Sequence, residues 1–369
     1  MVLGFVKKRL AKKHMRVLFL FTALLMGGLS AFSQTKYSNE FLSIGVGARA
    51  LGMSNAQVAS VNDATAGFWN PAGLIGVKSN IQLGAMHSSW FASTAAYDYV
   101  TLALPVDATS TACFSMIRFG VDDIPDTSEL IDPSGQVNYD KIKSFSAADY
   151  AFLFSYGKKT KIEGLSIGGT AKVIRRVIGE FAGAWGFGFD AGAQYKRGNW
   201  NFGVLGKDIT TTFNAWNFNL SDRMKETFTK TNNVIPENSL EITLPKLIAG
   251  CSYKKTFAGD FSALAAMDMD ITFDGRRNVL IGTKAMSIDP HPGIELGYAE
   301  MIYLRAGMLN FQQIKEFDGS KSLSFQPSFG LGLKIKNFHL EYALSSFGSI
   351  GQMPYSNVFS LKIDFFKRK

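Results

Sequence analysis

The chain has 369 residues and a formal net charge of +9, a length that allows one large domain or two ordinary ones. Only 19% of the residues are charged, Gly (36) and Phe (31) are abundant, and the mean hydropathy of +0.05 is too low for a helical membrane protein. Because the apolar residues are dispersed, the composition favours a transmembrane β-barrel, whose hydrophobic signal per segment is weak.

Residues 1–33 predict a secretory signal peptide. Six Lys and Arg residues accompany a 13-residue apolar core, Val17–Leu29, and small residues follow before Gln34. The alternative is a membrane anchor, but about 20 apolar residues are needed to span a bilayer. A signal that starts at Met15 has the ordinary form, so we expect the true start there. Cleavage removes six cations and no anion, which lowers the net charge from +9 to +3 and leaves no case for a nucleic-acid partner.

The stretch Ile44–Gly76 is dense in Gly and Ala and closes on Trp69, Asn70 and Pro71. Gly permits close backbone approach, and Pro fixes φ and removes a donor. A segment of this kind fits a confined space. We therefore predict that residues 34–76 form a plug segment, which enters a barrel made by residues 77–369.

Arg49 is the one cation of this glycine-rich stretch. A buried guanidinium requires a carboxylate or carbonyl partner. Asp63 and Glu295 are the candidates for a partner in the barrel lumen.

Segments with period-2 alternation recur after the plug segment, separated by turn signals. They predict about 14 antiparallel strands of roughly ten residues, the length of a tilted strand that crosses a bilayer. The predicted strands are Ile81–Ala85, Tyr97–Leu104, Ser110–Phe119, Ala147–Tyr156, Leu165–Ile174, Gly183–Tyr195, Trp200–Thr211, Leu244–Lys254, Phe261–Phe273, Gly293–Tyr298, Ile302–Met308, Phe325–Ile335, Phe338–Ser346 and Asn357–Phe366.

Alternation alone does not separate a lipid-facing wall from the core of a soluble β-sandwich, which is the alternative fold. The face formed by Trp185, Phe187 and Phe189 favours the lipid-facing wall, since a soluble sandwich does not expose such a face. Gly120–Phe145 and Thr212–Glu241 are predicted as long surface loops. Residues 274–291 are assigned only weakly, and no amphipathic helix is predicted.

No catalytic set is present in the sequence. His87, His291 and His339 lack the spacing of metal ligands, and the glycines of Gly45–Gly47 lack the strand–turn–helix setting of a dinucleotide site. The acidic run Asp122–Asp132 is either a calcium site or a solvated loop, and its spacing fits no EF-hand. We predict that the protein is not an enzyme and has no metal or cofactor.

Cys113 and Cys251 lie far apart, each in a predicted strand. Two alternatives stay open for an exported chain, one disulfide or two separate thiols. No cysteine lies near the cleavage site, which argues against a lipoprotein.

Glu295 and Arg305 fall symmetrically about Glu300 in a predicted hairpin, which makes them cross-strand neighbours on one face. We interpret them as an ion pair that fills the lumen, with a role in ligand binding as the alternative. Arg175 and Arg176 must point to opposite faces unless their strand ends there, and a strand end at the membrane surface is our interpretation. Trp90-Phe91 and Trp216 are assigned to aromatic girdles or to loop packing.

The segment GVGARALGMSNAQVASVNDATAGFWNPAGL (residues 45–74) resembles the N-terminal signature of the PorV/PorQ family of Bacteroidetes outer-membrane proteins. The segment Gly293–Met308 is also similar. The resemblance implies a FadL-like, 14-stranded barrel in the bacterial outer membrane, with the Asn-Pro-Ala pattern at Asn70, Pro71 and Ala72. Gly73 stands where we expect a Lys in PorV itself.

The resemblance further implies a role in type IX protein secretion. PorV-like members accompany the translocon barrel and pass on secreted cargo, and PorQ-like members anchor a surface partner. Translocon proteins, surface-attachment proteins, secreted cargo and outer-membrane lipid are thus the expected partners, and no nucleic acid is expected. Two alternatives are a FadL-like barrel that transports hydrophobic small molecules and a purely structural barrel.

Overall fold

The computed structural model describes residues 38–90, 93–131, 134–316, 318–345 and 356–367, and the predicted signal peptide lies outside these ranges. The described residues form seventeen strand segments. These are β1 (Ile81–Trp90), β2 (Ala95–Asp107), β3 (Ser110–Asp126), β4 (Lys143–Lys159), β5 (Leu165–Ile178), β6 (Ala182–Arg197), β7 (Trp200–Lys207), β8 (Thr212–Phe218), β9 (Ser239–Thr243), β10 (Lys246–Thr256), β11 (Phe261–Thr272), β12 (Ile281–Gly282), β13 (Ser287–Tyr298), β14 (Ile302–Lys315), β15 (Lys321–Ile335), β16 (Phe338–Ser345) and β17 (Ser356–Phe365).

The helical elements are few and short. The described residues contain three α-helices, α1 (Ala48–Leu51), α2 (Ala66–Trp69) and α3 (Asp222–Lys230), and 3₁₀ turns at Glu40–Ser43, Pro71–Gly76 and Tyr139–Lys141. Over the ranges that the structure describes, none of the helices has the length and apolar character needed to cross a membrane.

The strands close into one antiparallel barrel, since β1 pairs with β17 on one side and with β2 on the other. The segments β7 and β8 both pair with β6, so together they make one crossing of the wall. On the other side, β9 pairs with β8 and β10 pairs with β7, so β9 and β10 together make the next crossing. The two-residue β12 only bridges to β13. The described segments therefore make 14 crossings, and the predicted 14-stranded all-β barrel is confirmed.

The outer wall is apolar, as β6 illustrates. Trp185 and Phe189 are 51% and 50% exposed on the outside, whereas Ala184 and Asp190 on the alternate positions are 1% and 6% exposed. A belt of exposed aromatic side chains is unfavourable in water and suits lipid, and closed barrels leave no strand edge in the bilayer. The protein is therefore a bacterial outer-membrane barrel.

Both long loops are shorter than predicted. β3 extends to Asp126 and β4 begins at Lys143, so the first loop is confined to residues 127–142. The predicted loop Thr212–Glu241 contains β8, α3 and most of β9. We missed β8 because Trp216 faces inward and Asn217 faces outward, which interrupts the polar-inside, apolar-outside alternation begun by Thr212–Ala215. The weakly assigned residues 274–291 contain β12 and the start of β13.

Two interpretations of single residues were wrong. β5 continues to Ile178, so it does not end at the arginine pair. Arg175 lies outside, 5.2 Å from the centre of the Trp185 ring, and Arg176 lies inside, 2.7 Å from Asp149. Trp90 and Trp216 are buried inside the barrel and not in a lipid-facing girdle, and Phe91 is outside the described residues.

Residues 38–76, the described part of the plug segment, pack against the inner wall of the barrel. Two glycines of the inner wall show how closely the plug segment is packed. A Cβ built on Gly168 would lie 2.5 Å from the carbonyl carbon of Pro71, and one built on Gly203 would lie 2.2 Å from the carbonyl oxygen of Val58. Only glycine permits this approach of two backbones. Cys113 and Cys251 are not bonded to each other.

Candidate functional site

The predicted site residues make three of the contacts that fasten the plug segment to the wall, and the first joins Arg49 to Glu295 of β13. Arg49, in α1, donates from Nε to Glu295 Oε2 at 2.8 Å and from Nη1 to Gln57 at 3.2 Å. Arg305 donates from Nε to the same Glu295 oxygen at 2.7 Å and from Nη2 to Glu341 at 3.2 Å. Of the two predicted partners for Arg49, Glu295 is the one in contact.

Register and small residues explain this arrangement. Glu295 of β13 and Arg305 of β14 are direct cross-strand neighbours, as the hairpin symmetry predicts. Glu341 lies two strands further along the sheet, on β16. Gly332 of β15 makes room between them, since a Cβ there would lie 2.8 Å from the Arg305 guanidinium. Arg305 thus reaches across β15 along the inner wall.

The second fastening joins Asp63 to the closing strand. Lys362 of β17 donates to Asp63 Oδ2 at 2.6 Å, and Thr65 donates to Asp63 Oδ1 through its hydroxyl at 2.6 Å and through its backbone N–H at 3.0 Å. Burial alone would raise the pKa of the Asp63 carboxyl, but Lys362 and the Thr65 hydroxyl together hold that pKa well below its usual range.

The third fastening involves Trp69, Asn70 and Pro71. Trp69 donates to the Val46 carbonyl at 2.8 Å. Asn70 is fully buried and donates to the carbonyls of Val58 at 2.9 Å and, on strand β6, of Ala193 at 3.1 Å. These side chains bond backbone groups and pack, so they fix the path of the plug segment and are not arranged for chemistry.

The seven predicted site residues therefore fall into three separate groups. Arg49, Glu295 and Arg305 meet in one cluster, and Asp63 lies in another with Lys362. The third group is the turn at Trp69, Asn70 and Pro71.

A further charged cluster, formed by Lys172, Asp190 and Asp208, was not predicted from the sequence. Lys172 of β5 is 3% exposed and lies 2.7 Å from Asp190 of β6 and 2.5 Å from Asp208. Lys207 lies beside this cluster, at the end of β7. The sequence did contain a signal for this cluster. Lys172 and Asp190 are oppositely charged residues at inward-facing positions of two neighbouring predicted strands.

The wall is interrupted next to this cluster. β7 ends at Lys207 and β8 begins at Thr212, and on the neighbouring crossing β9 ends at Thr243 and β10 begins at Lys246. Leu244 and Pro245 fill that second interruption, and Pro lacks the N–H that a continuous strand needs. The predicted single strand Trp200–Thr211 is therefore wrong at its end.

Two cavities lie inside the barrel beside the plug segment. One of about 70 Å³ is lined at the interruption by Asp208, Leu244 and Pro245, among others. The other, of about 300 Å³, lies between the plug segment and strands β7, β10, β11 and β13–β16. In the described parts of the chain, no group of three or more His, Cys, Asp or Glu side chains is arranged to hold a metal ion.

The fold has clear relatives among solved structures. The chain is similar to the monoaromatic hydrocarbon channel CymD (13% identity, 88% of this chain and 99% of that chain, TM-score 0.54). It is also similar to the Pseudomonas putida toluene transporter TodX (12%, 88% and 99%, 0.52) and the Ralstonia pickettii toluene transporter TbuX (12%, 87% and 98%, 0.51).

No protein-family model matches the chain. No curated protein matches it either. At these identities the structural likeness shows the FadL-like barrel fold and no more.

Proposed function

We propose that this barrel passes small hydrophobic molecules across the outer membrane, and that the plug segment controls the passage. The class of substrate is taken from the printed functions of CymD, TodX and TbuX, which are a hydrocarbon channel and toluene transporters. The PorV/PorQ resemblance on its own points elsewhere, to protein secretion.

The observation that carries the proposal is the position of the plug segment beside the interrupted wall. The plug segment fills the lumen and is held by ion pairs and hydrogen bonds, which can be exchanged for water. The small cavity next to it reaches Asp208, Leu244 and Pro245, where the strand ladder is broken. A molecule that enters from the outside would leave sideways through this break into the membrane.

Uptake of radiolabelled toluene by cells tests the proposal. We expect cells that carry the barrel to take up toluene with a higher initial rate than cells with an empty vector, and the rate to saturate. An initial rate equal to that of the empty vector would count against the proposal.

The second candidate is partner binding in type IX secretion, which the resemblance implies. One observation favours it. Large apolar side chains are exposed together on the first long loop, where Ile131, Val137 and Tyr139 are 59%, 54% and 72% exposed and Ile131 pairs with Val137. Exposed apolar groups of this kind are typical of surfaces that bind other proteins.

Affinity purification in mild detergent separates the two candidates. If the loops bind secretion partners or cargo, these chains co-purify with the wild type and are lost when residues 128–141 and 223–236 are replaced by short Gly-Ser linkers. Toluene uptake should survive that change. Retention of the same co-purifying chains by the trimmed barrel would contradict partner binding through the loops.

A further inference from the structure

The 300 Å³ cavity has the size of a small-molecule pocket but not the lining of a hydrocarbon site. Its apolar side is formed by the plug segment, with Phe68 and Trp69 as the largest side chains. Its other side is the inner wall of β7, β10, β11 and β13–β16, which presents charged and amide side chains. The chemistry of that wall decides what the cavity can bind.

Lys207 is the cation of this wall without a carboxylate partner among the described residues. Its side chain is 8% exposed, and its ammonium nitrogen lies 4.2 Å from the centre of the Phe68 ring. The carboxylates of Asp190 and Asp208 both bond Lys172. An ammonium group has three N–H donors, and burying it without an acceptor is costly.

The neighbouring wall cation is already paired. Lys246 lies opposite Lys207 in the sheet and donates to Asp270 at 2.6 Å. Lys207 is therefore the cationic donor of this wall whose N–H groups can bond an acceptor on a molecule in the cavity.

Five further side chains of the lining leave a buried polar atom without a hydrogen-bond partner in the described structure. His291 bonds the Ser54 carbonyl through Nδ1 at 3.0 Å, which leaves Nε2 as an unused acceptor. Gln326 has an unused donor at Nε2, and Asn55, Asp268 and Asp289 each have an unused carbonyl or carboxylate oxygen, which a hydroxyl group can donate to. All five line the same cavity as Lys207. His291 and Gln326 are 8% and 3% exposed.

We propose that this cavity binds a small hydroxylated organic acid. Its carboxylate accepts hydrogen bonds from Lys207, and its hydroxyl groups bond His291, Gln326 and Asp289. Phe68 and Trp69 cover the apolar faces of the same molecule. A hydrocarbon would leave every one of these polar atoms without a hydrogen-bond partner, which is unfavourable for buried groups.

This site goes beyond the proposed passage of hydrophobic molecules and does not depend on it. The two are distinguishable, because toluene uptake reports passage and the binding of a sugar acid reports the cavity. A barrel that binds the acid and does not raise toluene uptake would refute the proposed function and leave the site standing.

Equilibrium dialysis of the purified full-length barrel in detergent tests the site, with D-glucuronate and D-glucose as probes. We expect saturable glucuronate binding, and weaker glucose binding, because glucose lacks the carboxylate. Lys207→Met should weaken glucuronate binding at least tenfold and leave glucose binding unchanged. Gln326→Leu should weaken both probes.

Lys255→Met is the matched control. Lys255 also lies over an aromatic ring, 5.2 Å from the centre of Phe257, but is exposed near the turn between β10 and β11. It should bind glucuronate like the wild type. Absence of saturable glucuronate binding to the wild type overturns the proposal, as does equal binding by a folded Lys207→Met barrel or a glucuronate-soaked crystal with water alone in the cavity.

Discussion

Glu295 is the residue on which the plug segment depends most directly. One carboxylate oxygen of Glu295 accepts from Arg49 at 2.8 Å and from Arg305 at 2.7 Å. Removing one partner from a buried ion pair costs about 3–5 kcal/mol, because the remaining charge is left unpaired. Here Arg49 would lose its carboxylate, and Arg305 would keep only Glu341, at 3.2 Å.

We therefore expect Glu295→Gln to loosen the plug segment while the barrel stays folded. The change removes the negative charge and keeps the shape of the side chain. In planar lipid bilayers the variant should show larger and more frequent conductance events than the wild type. The control is Glu300→Gln, in the exposed turn between β13 and β14. Equal conductance of the Glu295→Gln and Glu300→Gln barrels would contradict this role.

Asp63 predicts a dependence of plug docking on pH. Its pKa in the folded protein is depressed, so its contribution to docking is fully present above the ordinary carboxyl pKa of about 4. That contribution is lost as the pH falls below 4 towards the depressed value. Protease cleavage within residues 38–76 should therefore increase on acidification in the wild type.

The matched variant Asp63→Asn should lack that acid-dependent step, since its side chain does not titrate. It should be cleaved faster than the wild type at pH 7, because Lys362 stays buried without a carboxylate. The same acid-dependent step in both proteins would assign the effect to other groups.

At this scale the sequence predicted some contacts and not others. Arg49 pointed to a carboxylate because it is a single cation among small residues, and hairpin symmetry placed Glu295 opposite Arg305. The contact between Asp63 and Lys362 spans 299 positions. It depends on how the barrel closes, which local alternation does not specify.

At the scale of elements, the interrupted crossing β7–β8 is the feature that the sequence pattern missed. Gly206 pairs with Ala191 and Phe213 pairs with Phe187 of β6. The crossing β7–β8 therefore advances seven residues, from Gly206 to Phe213, while β6 advances four, from Ala191 back to Phe187. The crossing β7–β8 has three residues more than the strand it pairs with. The alternation breaks at this excess, and sequence reasoning ended the strand there and predicted a loop.

Deletion of Ile209–Thr211 should restore a continuous ladder and close the side of the barrel. We expect toluene uptake to fall to the background level if this break is the exit. Deletion of Val234–Pro236, three residues of the loop between α3 and β9, is the control and should leave uptake unchanged. The readout is the initial rate of toluene uptake at matched amounts of folded barrel in the outer membrane. Unchanged uptake by the barrel without Ile209–Thr211 would place the exit elsewhere.

For the whole molecule, period-2 alternation together with the FadL-like resemblance predicted the 14-crossing barrel, because each lipid-facing wall repeats the same apolar signal. The lumen was far less predictable. Its polar contacts join β1, β5, β6, β11, β13, β15 and β17 to the plug segment, and each contact depends on register around the closed sheet. The class of molecule that passes is a property of those contacts and not of the fold.

The central claim is that small molecules pass only when the plug segment moves. Ser54 of the plug segment and Ser328 of β15 lie with their hydroxyl oxygens 2.7 Å apart, so the two side chains are in contact and this is the pair to replace with cysteines for an engineered disulfide. The decisive measurement is the initial rate of toluene uptake by cells that carry the Ser54→Cys/Ser328→Cys barrel, before and after reduction, beside the Ser54→Cys single variant. Our account predicts that uptake is blocked in the oxidised double variant and returns on reduction. Equal uptake in the oxidised and reduced states, with the disulfide verified, would contradict it.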